Sequence, residues 1–174
     1  MGTIGHEGVA SAMIDPEETK ILMKARWVDG MSFQGISARG FLVPLDAAFE
    51  NGGSDLGFRP MELIALGLAG CTAMDVISIL RKKKQKITSF EVRTHAIRSS
   101  EHPRVFTSAS IEYEVTGENV DETAVRRALE LSATHYCPAQ AMLAKVFPIK
   151  LVYIIYEGCD TERRKLIKSE VFTP

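Results

Sequence analysis

Two cysteines lie in sequence contexts that support thiol chemistry. Cys71 occurs in GCTAMD and Cys137 in HYCPAQ, whereas Cys159 lies in YEGCD, a stretch typical of an exposed loop. A reactive thiolate reduces an oxidant, and a second thiol within reach converts the oxidised sulfur to a disulfide that can be recycled. Cys71 and Cys137 are therefore a pair that does chemistry together, a structural cross-link, or side chains that only fill the core.

The sequence around each cysteine favours Cys137 as the activated thiol. Cys71 lies in an apolar helical stretch, where a free cysteine commonly packs as a small hydrophobic residue. Asp75 follows by one helical turn on the same face, and its carboxylate would disfavour a thiolate at Cys71. Cys137 directly precedes Pro138, at the expected N-cap of a short helix, where N–H groups and the helix dipole stabilise a thiolate. A protonated His135 would add positive charge there.

The spacing of potential ligands does not support a metal site. His135 and Cys137 would form half of one, but no further ligand follows at a metal-binding spacing. We therefore predict that neither residue binds a metal.

The composition predicts a single soluble domain. The chain has 174 residues, of which 45% are hydrophobic, and a formal net charge of −1, so its charge does not point to nucleic acid or to a membrane surface. The apolar run LIALGLAGCTAMDVISIL is long enough to span a membrane, but Asp75 within it favours a buried helix in a soluble protein. The N-terminus lacks the pattern of a secretory signal. We therefore expect a cytoplasmic protein whose thiols are reduced, without a permanent disulfide.

Hydrophobic periodicity predicts the elements that position Cys71. Residues 1–20 are expected to be an N-terminal arm, and strands joined by the hairpin stretch DGMSFQG follow from Ile21 to Leu45. A glycine-rich loop then leads to a helix from about Pro60 to about Lys84. Its apolar residues cover most of the circumference, which is typical of a helix buried on all sides. Gly67 and Gly70 inside it indicate close approach of another backbone, for example a twin helix from a second subunit.

The second half of the chain supplies the elements around Cys137. SFEVRTHAI and VFTSASIEYEVTG alternate as an antiparallel strand pair with one wet face. Asp121 is expected to cap a helix that runs to about His135, and Pro138 to open a second helix that ends near Val146. A buried strand and a charged tail over residues 158–174 complete the chain, and this segregation of helices and strands favours the α+β class. The wet face would include Ser108, Ser110, Glu112 and Glu114, and the inner side of the first helix would include Val125, Ala128, Leu129, Ser132 and Tyr136.

Two segments together resemble the OsmC/Ohr family. RPMELIALGLAGCTAMDVISILRKK is similar to the central-helix signature of that family, and ALELSATHYCPAQAML is similar to its second cysteine segment. The likeness covers roughly Arg26 to Glu157. It implies a single OsmC-like domain over residues 1–174, with antiparallel sheets around a long buried central helix, and an intertwined homodimer.

The resemblance also implies an activity in oxidative stress defence, the thiol-dependent reduction of organic hydroperoxides. Cys71 would be the attacking thiol, and its sulfenic acid would condense with Cys137 to a disulfide. An external dithiol, of lipoyl type in some members of the family, would reduce that disulfide. No metal and no bound organic cofactor is implied.

The sequence departs from the family pattern where the attacking thiolate is activated. Characterised members use an arginine from the N-terminal hairpin and a glutamate directly after the proline that starts the helix. Here Met61 follows that proline, the glutamate is Glu62, rotated by about 100° around the helix, and DGMSFQG contains no arginine. Glu62 is therefore a candidate supporting residue in a divergent OsmC-like branch. Two alternatives stay open: a non-catalytic small-molecule binding or redox-sensing module, and a structural protein with inert cysteines.

Overall fold

The computed structural model describes residues 21–159 and 161–173. The chain divides into two compact units, the first ending at Arg59 and the second beginning at Pro60. Helices and separate sheets are both present, which confirms the predicted α+β class. The predicted arm, residues 1–20, lies outside the described residues, and the single domain over residues 1–174 stays a prediction.

Where the structure describes the first unit, from Ile21 onward, consecutive strands form a three-stranded antiparallel sheet. These are β1 (Met23–Asp29), β2 (Ser32–Ser37) and β3 (Leu42–Leu45), in that order. The predicted hairpin joins β1 to β2, and Gly30 in its turn has φ of 49°, a left-handed conformation that favours glycine. Because β1 ends at Asp29 and β2 begins at Ser32, only Gly30 and Met31 of the stretch expected to be turn lie outside the strands.

A buried aspartate organises the glycine-rich loop that follows β3. Asp46 is 4% exposed, and its carboxylate accepts backbone N–H groups from Ala47 at 2.8 Å, Ser54 at 3.1 Å and Leu56 at 3.2 Å. The hydrogen bond from Leu56 and the two others lower the pKa of Asp46 despite its burial. A loop with little hydrophobic content is therefore fixed by one ionised side chain.

In its described residues, the second unit contains three α-helices and four strands that share one core. In chain order they are α1 (Pro60–Lys82), β4 (Lys86–Arg98), β5 (Phe106–Glu118), α2 (Glu122–Leu131), α3 (Pro138–Leu143), β6 (Ile149–Gly158) and β7 (Arg164–Phe172). The sheet order is β4–β5–β6–β7. The predicted strand pair β4–β5 is antiparallel, whereas β5 and β6 run parallel because the helical segment lies between them in the chain.

The prediction of a charged tail over residues 158–174 is wrong for most of that segment. Residues 164–172 form β7, which pairs antiparallel with β6 along its length. The segment RKLIKSEVF combines charged residues with Leu166, Ile167, Val171 and Phe172, and charged side chains are common in strands at the edge of a sheet. Phe172 is 7% exposed and belongs to the core cluster. The high charge of the segment therefore does not mark it as unstructured.

α1 begins at Pro60 as predicted and is buried along one stripe of its surface. The buried residues are Leu68, Ala69, Thr72, Val76 and Leu80. The prediction that it is buried on all sides is not met within residues 21–159 and 161–173, where Leu66 is 53% exposed and Met74 is 75% exposed. By length and composition α1 is also capable of crossing a membrane, a test that the core helix of a soluble protein passes as well.

The glycines of α1 face open space within the described residues. A Cβ added to Gly67 or Gly70 would meet no atom within 4 Å outside the helix's own neighbouring backbone. The close approach that these glycines predict is therefore not made inside the part of the chain that the structure describes.

The face of β5 that is predicted to contact solvent is only partly exposed. Glu114 is 8% exposed, because Arg93 from β4 and Arg164 from β7 pair with it across the sheet. Burial by itself raises the pKa of Glu114, but hydrogen bonds and positive charge from Arg164 and Arg93 outweigh it, so the pKa is lowered. Thr116 on the same face is 1% exposed. Alternation identified the two faces of the strand, but the second face is covered by the neighbouring arginine side chains.

α2 begins as predicted and ends in a wider turn. The Asp121 carboxylate accepts the backbone N–H of Thr123 at 2.9 Å, which confirms the predicted cap. Residues 132–136 form a π turn, in which the N–H of Cys137 donates to the carbonyl of Ser132 at 2.9 Å. This turn holds one more residue than an α turn, so it shifts later side chains around the axis. Tyr136, predicted on the inner side, is therefore 58% exposed.

Candidate redox site

The fold brings Cys71 and Cys137 together. Cys71 lies midway along α1, and Cys137 is the N-cap residue of α3, which packs against α1. Cys71 lies close enough to Cys137 to raise the pKa of the Cys137 thiol, both as a hydrogen-bond partner and through its charge. Cys71 is partly exposed and Cys137 is 2% exposed, so the two sulfur atoms differ in their access to solvent.

The π turn and the start of α3 determine where Cys137 points. Its backbone is extended, with φ of −81° and ψ of 102°, and Pro138 occupies the first position of the helix. The backbone N–H of Gln140 donates to the Cys137 sulfur at 3.4 Å, so the thiol itself caps α3. This confirms the predicted N-cap and explains why a cysteine follows the widened turn.

Burial makes Cys137 a poor thiolate. It raises the pKa of Cys137 to about 12, together with the hydrogen bond to Cys71 and the negative charge of Asp75, while the N–H of Gln140 acts in the opposite direction. The prediction that Cys137 is the activated thiol is therefore wrong. One N-cap hydrogen bond stabilises the thiolate by less than the loss of water destabilises it.

A cluster of hydrogen-bonded polar side chains, most of them buried, lies beside the cysteine pair. Thr72, the residue after Cys71, has its Oγ1 2.7 Å from the hydroxyl of Tyr113 and 2.9 Å from Oγ of Ser132. Gln140 donates its side-chain Nε2 to Thr72 Oγ1 at 2.9 Å and to the Tyr113 hydroxyl at 3.4 Å. Ser132 in turn donates to Asp75 Oδ2 at 3.1 Å.

When Asp75 is ionised, only one set of hydroxyl directions gives every polar side chain of this cluster a hydrogen-bond partner. A carboxylate accepts only, so the proton of Ser132 points to Asp75, and Thr72 must donate to Ser132. Since that uses its one proton, Thr72 accepts from Tyr113 and from Gln140. Every member then has a partner, and burial raises the pKa of Tyr113, so its hydroxyl keeps the proton that it donates.

The sequence did not single out Thr72, Tyr113 or Gln140 as site residues. Each is 4% exposed or less. The available signal was a polar side chain at a position where the surrounding pattern is otherwise core, as for Tyr113 on the apolar face of β5. That signal identifies a buried polar residue but not its partner.

The other predicted site residues lie apart from the thiol pair or contribute differently. Glu62 is exposed in the first turn of α1, nine residues before Cys71, which is about 14 Å along the axis and on the opposite side of an ideal helix. This position does not favour a direct role at the thiols of its own chain, and its supporting role stays a prediction. His135 is exposed beside the Thr134 hydroxyl, at 2.6 Å, and Cys159 is exposed, as predicted.

A separate groove lies at the end of the four-stranded sheet. It has a volume of about 520 Å³ and is lined mainly by residues of β4, β5, β6 and β7, including His95, Ile97, Lys150 and Val171. Neither Cys71 nor Cys137 lines it. It is therefore not the apolar pocket near Cys71 that a binding or sensing module would require.

Comparison with known proteins agrees with the fold and with the two cysteine segments. The family described as OsmC-like protein matches residues 52–152. Protein YhfA from Escherichia coli strain K12 is 38% identical over 130 residues, which are 75% of this chain and 94% of YhfA.

Solved structures show the same architecture. An OsmC-like protein from Mycoplasma pneumoniae superposes with a TM-score of 0.68 at 21% identity, over 79% of this chain and 98% of that chain. An organic hydroperoxide resistance protein OsmC from Legionella pneumophila has a TM-score of 0.57 at 19% identity, over 79% of this chain and 96% of that chain. The α+β arrangement of two sheets and a long helix is thus the OsmC-like fold. The chain belongs to the OsmC-like protein family, as the resemblance indicated.

Proposed function

We propose that this protein is a two-cysteine thiol peroxidase that reduces organic hydroperoxides in oxidative stress defence. The observation that carries the proposal is the contact between the Cys71 and Cys137 thiols, from elements far apart in the sequence. Two buried or half-buried cysteines that only filled the core would have no need to meet. The name of the Legionella pneumophila protein, an organic hydroperoxide resistance protein, suggests the class of oxidant.

In the first step, the Cys71 thiolate attacks the terminal oxygen of a hydroperoxide. A sulfur–oxygen bond forms and the oxygen–oxygen bond breaks, so the sulfur loses two electrons and the peroxide gains them. The leaving alkoxide takes up a proton to give an alcohol, and Cys71 becomes a sulfenic acid. Cys71 suits this step better than Cys137, because it is the more exposed of the pair.

In the second step, Cys137 condenses with the sulfenic acid. A disulfide forms between the two sulfur atoms, and the sulfenic hydroxyl leaves with the Cys137 proton as water. An external dithiol then reduces the disulfide by thiol–disulfide exchange, which returns both thiols and oxidises the dithiol.

We further propose that the protein works as a cytoplasmic homodimer in which a second copy covers the exposed apolar side of α1. Leu66, Gly67, Gly70 and Met74 form a surface of large and small apolar residues on that helix. Small residues allow two helices to approach closely, and an apolar patch of this kind is typical of a protein interface.

Turnover of an organic hydroperoxide tests the proposed activity. With cumene hydroperoxide and a lipoyl-type dithiol, we expect Cys71→Ser to lose at least about 100-fold in the rate of peroxide consumption, since removal of an attacking nucleophile can cost an enzyme up to about 10⁶-fold. Cys137→Ser should reduce the first equivalent of peroxide and then turn over more slowly than the wild type, because the external dithiol must itself attack the Cys71 sulfenic acid.

Cys159→Ser is the matched control, because Cys159 is exposed and lies outside the thiol pair. It should keep the wild-type rate. The proposal is contradicted if the wild-type protein consumes no hydroperoxide, or if Cys71→Ser retains the wild-type rate.

A further inference from the structure

Gln140 contacts both sides of the cysteine pair. Its backbone N–H donates to the sulfur of Cys137, and its side-chain Nε2 donates at 2.9 Å to Thr72, the residue next to Cys71 on α1. The same Nε2 lies 3.4 Å from the hydroxyl of Tyr113 on β5. One residue therefore links the segment that carries Cys137 to the helical turn that carries Cys71 and to the central sheet.

Burial of this polar cluster needs a reason. Thr72 and Tyr113 are 0% exposed and Gln140 is 4% exposed. A buried polar group that lacks partners is strongly destabilising, whereas replacing all the partners by apolar residues of the same shape can be nearly neutral. Stability alone therefore does not call for a glutamine, a threonine and a tyrosine here. What such a network supplies beyond stability is a fixed geometry.

We propose that Gln140 is a positioning residue for the Cys71–Cys137 pair, acting through Thr72 and Tyr113 to hold the α3 N-terminus in register with the Cys71 turn of α1. This inference rests on the proposed function and assigns it further residues. Formation of a disulfide within one chain depends on how often the two sulfur atoms are in bonding geometry, and a displacement of about 1 Å changes such rates and equilibria by large factors. Without the Gln140 amide, α3 loses its hydrogen bond to Thr72 of α1.

The equilibrium between the protein dithiol and glutathione disulfide tests this role without peroxide. All proteins carry Cys159→Ser, so that only the pair can react. We expect Gln140→Met, which keeps the length of the side chain, to lower the equilibrium constant for the Cys71–Cys137 disulfide by about tenfold, a rise of about 30 mV in reduction potential. A purely structural role would change the midpoint of unfolding and leave that potential unchanged.

Gln85→Met is the matched control. Gln85 also makes two hydrogen bonds, to the carbonyl of Lys83 at 3.2 Å and from the N–H of Asp121 at 2.8 Å, but outside the site. Its potential should equal that of the parent. Equal potentials for Gln140→Met, Gln85→Met and the parent overturn the proposal, and so does a parent that forms no disulfide with glutathione.

Tyr113→Phe provides the same test if Gln140→Met does not fold. It removes one hydroxyl from the cluster and keeps the ring that packs in the core. We expect its equilibrium constant to fall about threefold or more, and a value within measurement error of the parent overturns the proposal in that case. A parent that forms the disulfide with glutathione but consumes no hydroperoxide refutes the proposed peroxidase activity and leaves the positioning role standing.

Discussion

At the scale of single residues, the two cysteines show how burial and capping compete. Cys137 has the features that usually favour a thiolate, a helix N-terminus and an N–H donor from Gln140. It is nevertheless 2% exposed, and burial is the largest influence on its pKa, which rises to about 12. The identity of a cap is visible in a sequence, whereas the depth at which the cap is buried depends on the elements packed over it.

The pH dependence of Cys137 alkylation measures this balance. In the reduced protein we expect the rate of modification by iodoacetamide at Cys137 to keep rising with pH beyond pH 10, because its pKa is about 12. Asp75→Asn should raise the rate at pH 8, since the charge of Asp75 is one of the causes that raise the pKa. The same site in unfolded protein should level off near the reference pKa of about 8.5.

The raised pKa of Cys137 also makes the stability of the folded protein depend on pH. The folded state holds the Cys137 proton more tightly than the unfolded state, so this thiol contributes stability that is fully present below about pH 8.5. That contribution is lost as the pH rises from the unfolded value through the folded pKa of about 12. A rate at Cys137 that levels off below pH 8.5 in the folded protein contradicts the account of the site.

At the scale of elements, the sequence predicted which helices and strands exist and their order better than it predicted the contacts between them. The start of α1 at Pro60, the Asp121 cap and the Cys137 N-cap follow from local chemistry, and all three are observed. The prediction that Tyr136 lies on the inner side of the helix is wrong, because no local sequence signal indicates the π turn over residues 132–136. β7 was mistaken for a tail because the pairing energy of an edge strand comes from its neighbour β6 rather than from its own apolar content.

The exposed side of α1 is the element that carries the homodimer proposal. Leu66→Glu places a charge on that side, and we expect it to reduce the mass measured by light scattering from two chains to one. The physical reason is the cost of burying an unpaired carboxylate in an apolar interface. Leu166→Glu on β7 is the matched control, since Leu66 and Leu166 are both leucines that are 53% exposed.

The control protein should remain a dimer with the mass of the wild type. A wild-type protein that has the mass of one chain at all concentrations refutes the homodimer. Dissociation by Leu166→Glu and not by Leu66→Glu places the interface on the sheet rather than on α1.

At the scale of the whole molecule, the sequence indicated the family and the cysteine pair but not the polar cluster beside that pair. Two motifs in the right order were enough to indicate the OsmC-like fold, and that fold brings Cys71 to Cys137. The hydrogen bonds of Thr72 with Tyr113 and Gln140 join residues from α1, β5 and α3. Such contacts depend on how the elements pack, so a periodic pattern within each element does not reveal them.

The central claim is that Cys71 and Cys137 act as one redox pair, and mapping of thiols after limited oxidation tests it most directly. Reduced protein treated with one equivalent of cumene hydroperoxide is alkylated, digested and analysed by mass spectrometry. The account predicts a peptide in which Cys71 is joined to Cys137, with Cys159 recovered as a free thiol. Three unmodified thiols, or cross-links that run through Cys159 instead, would contradict it.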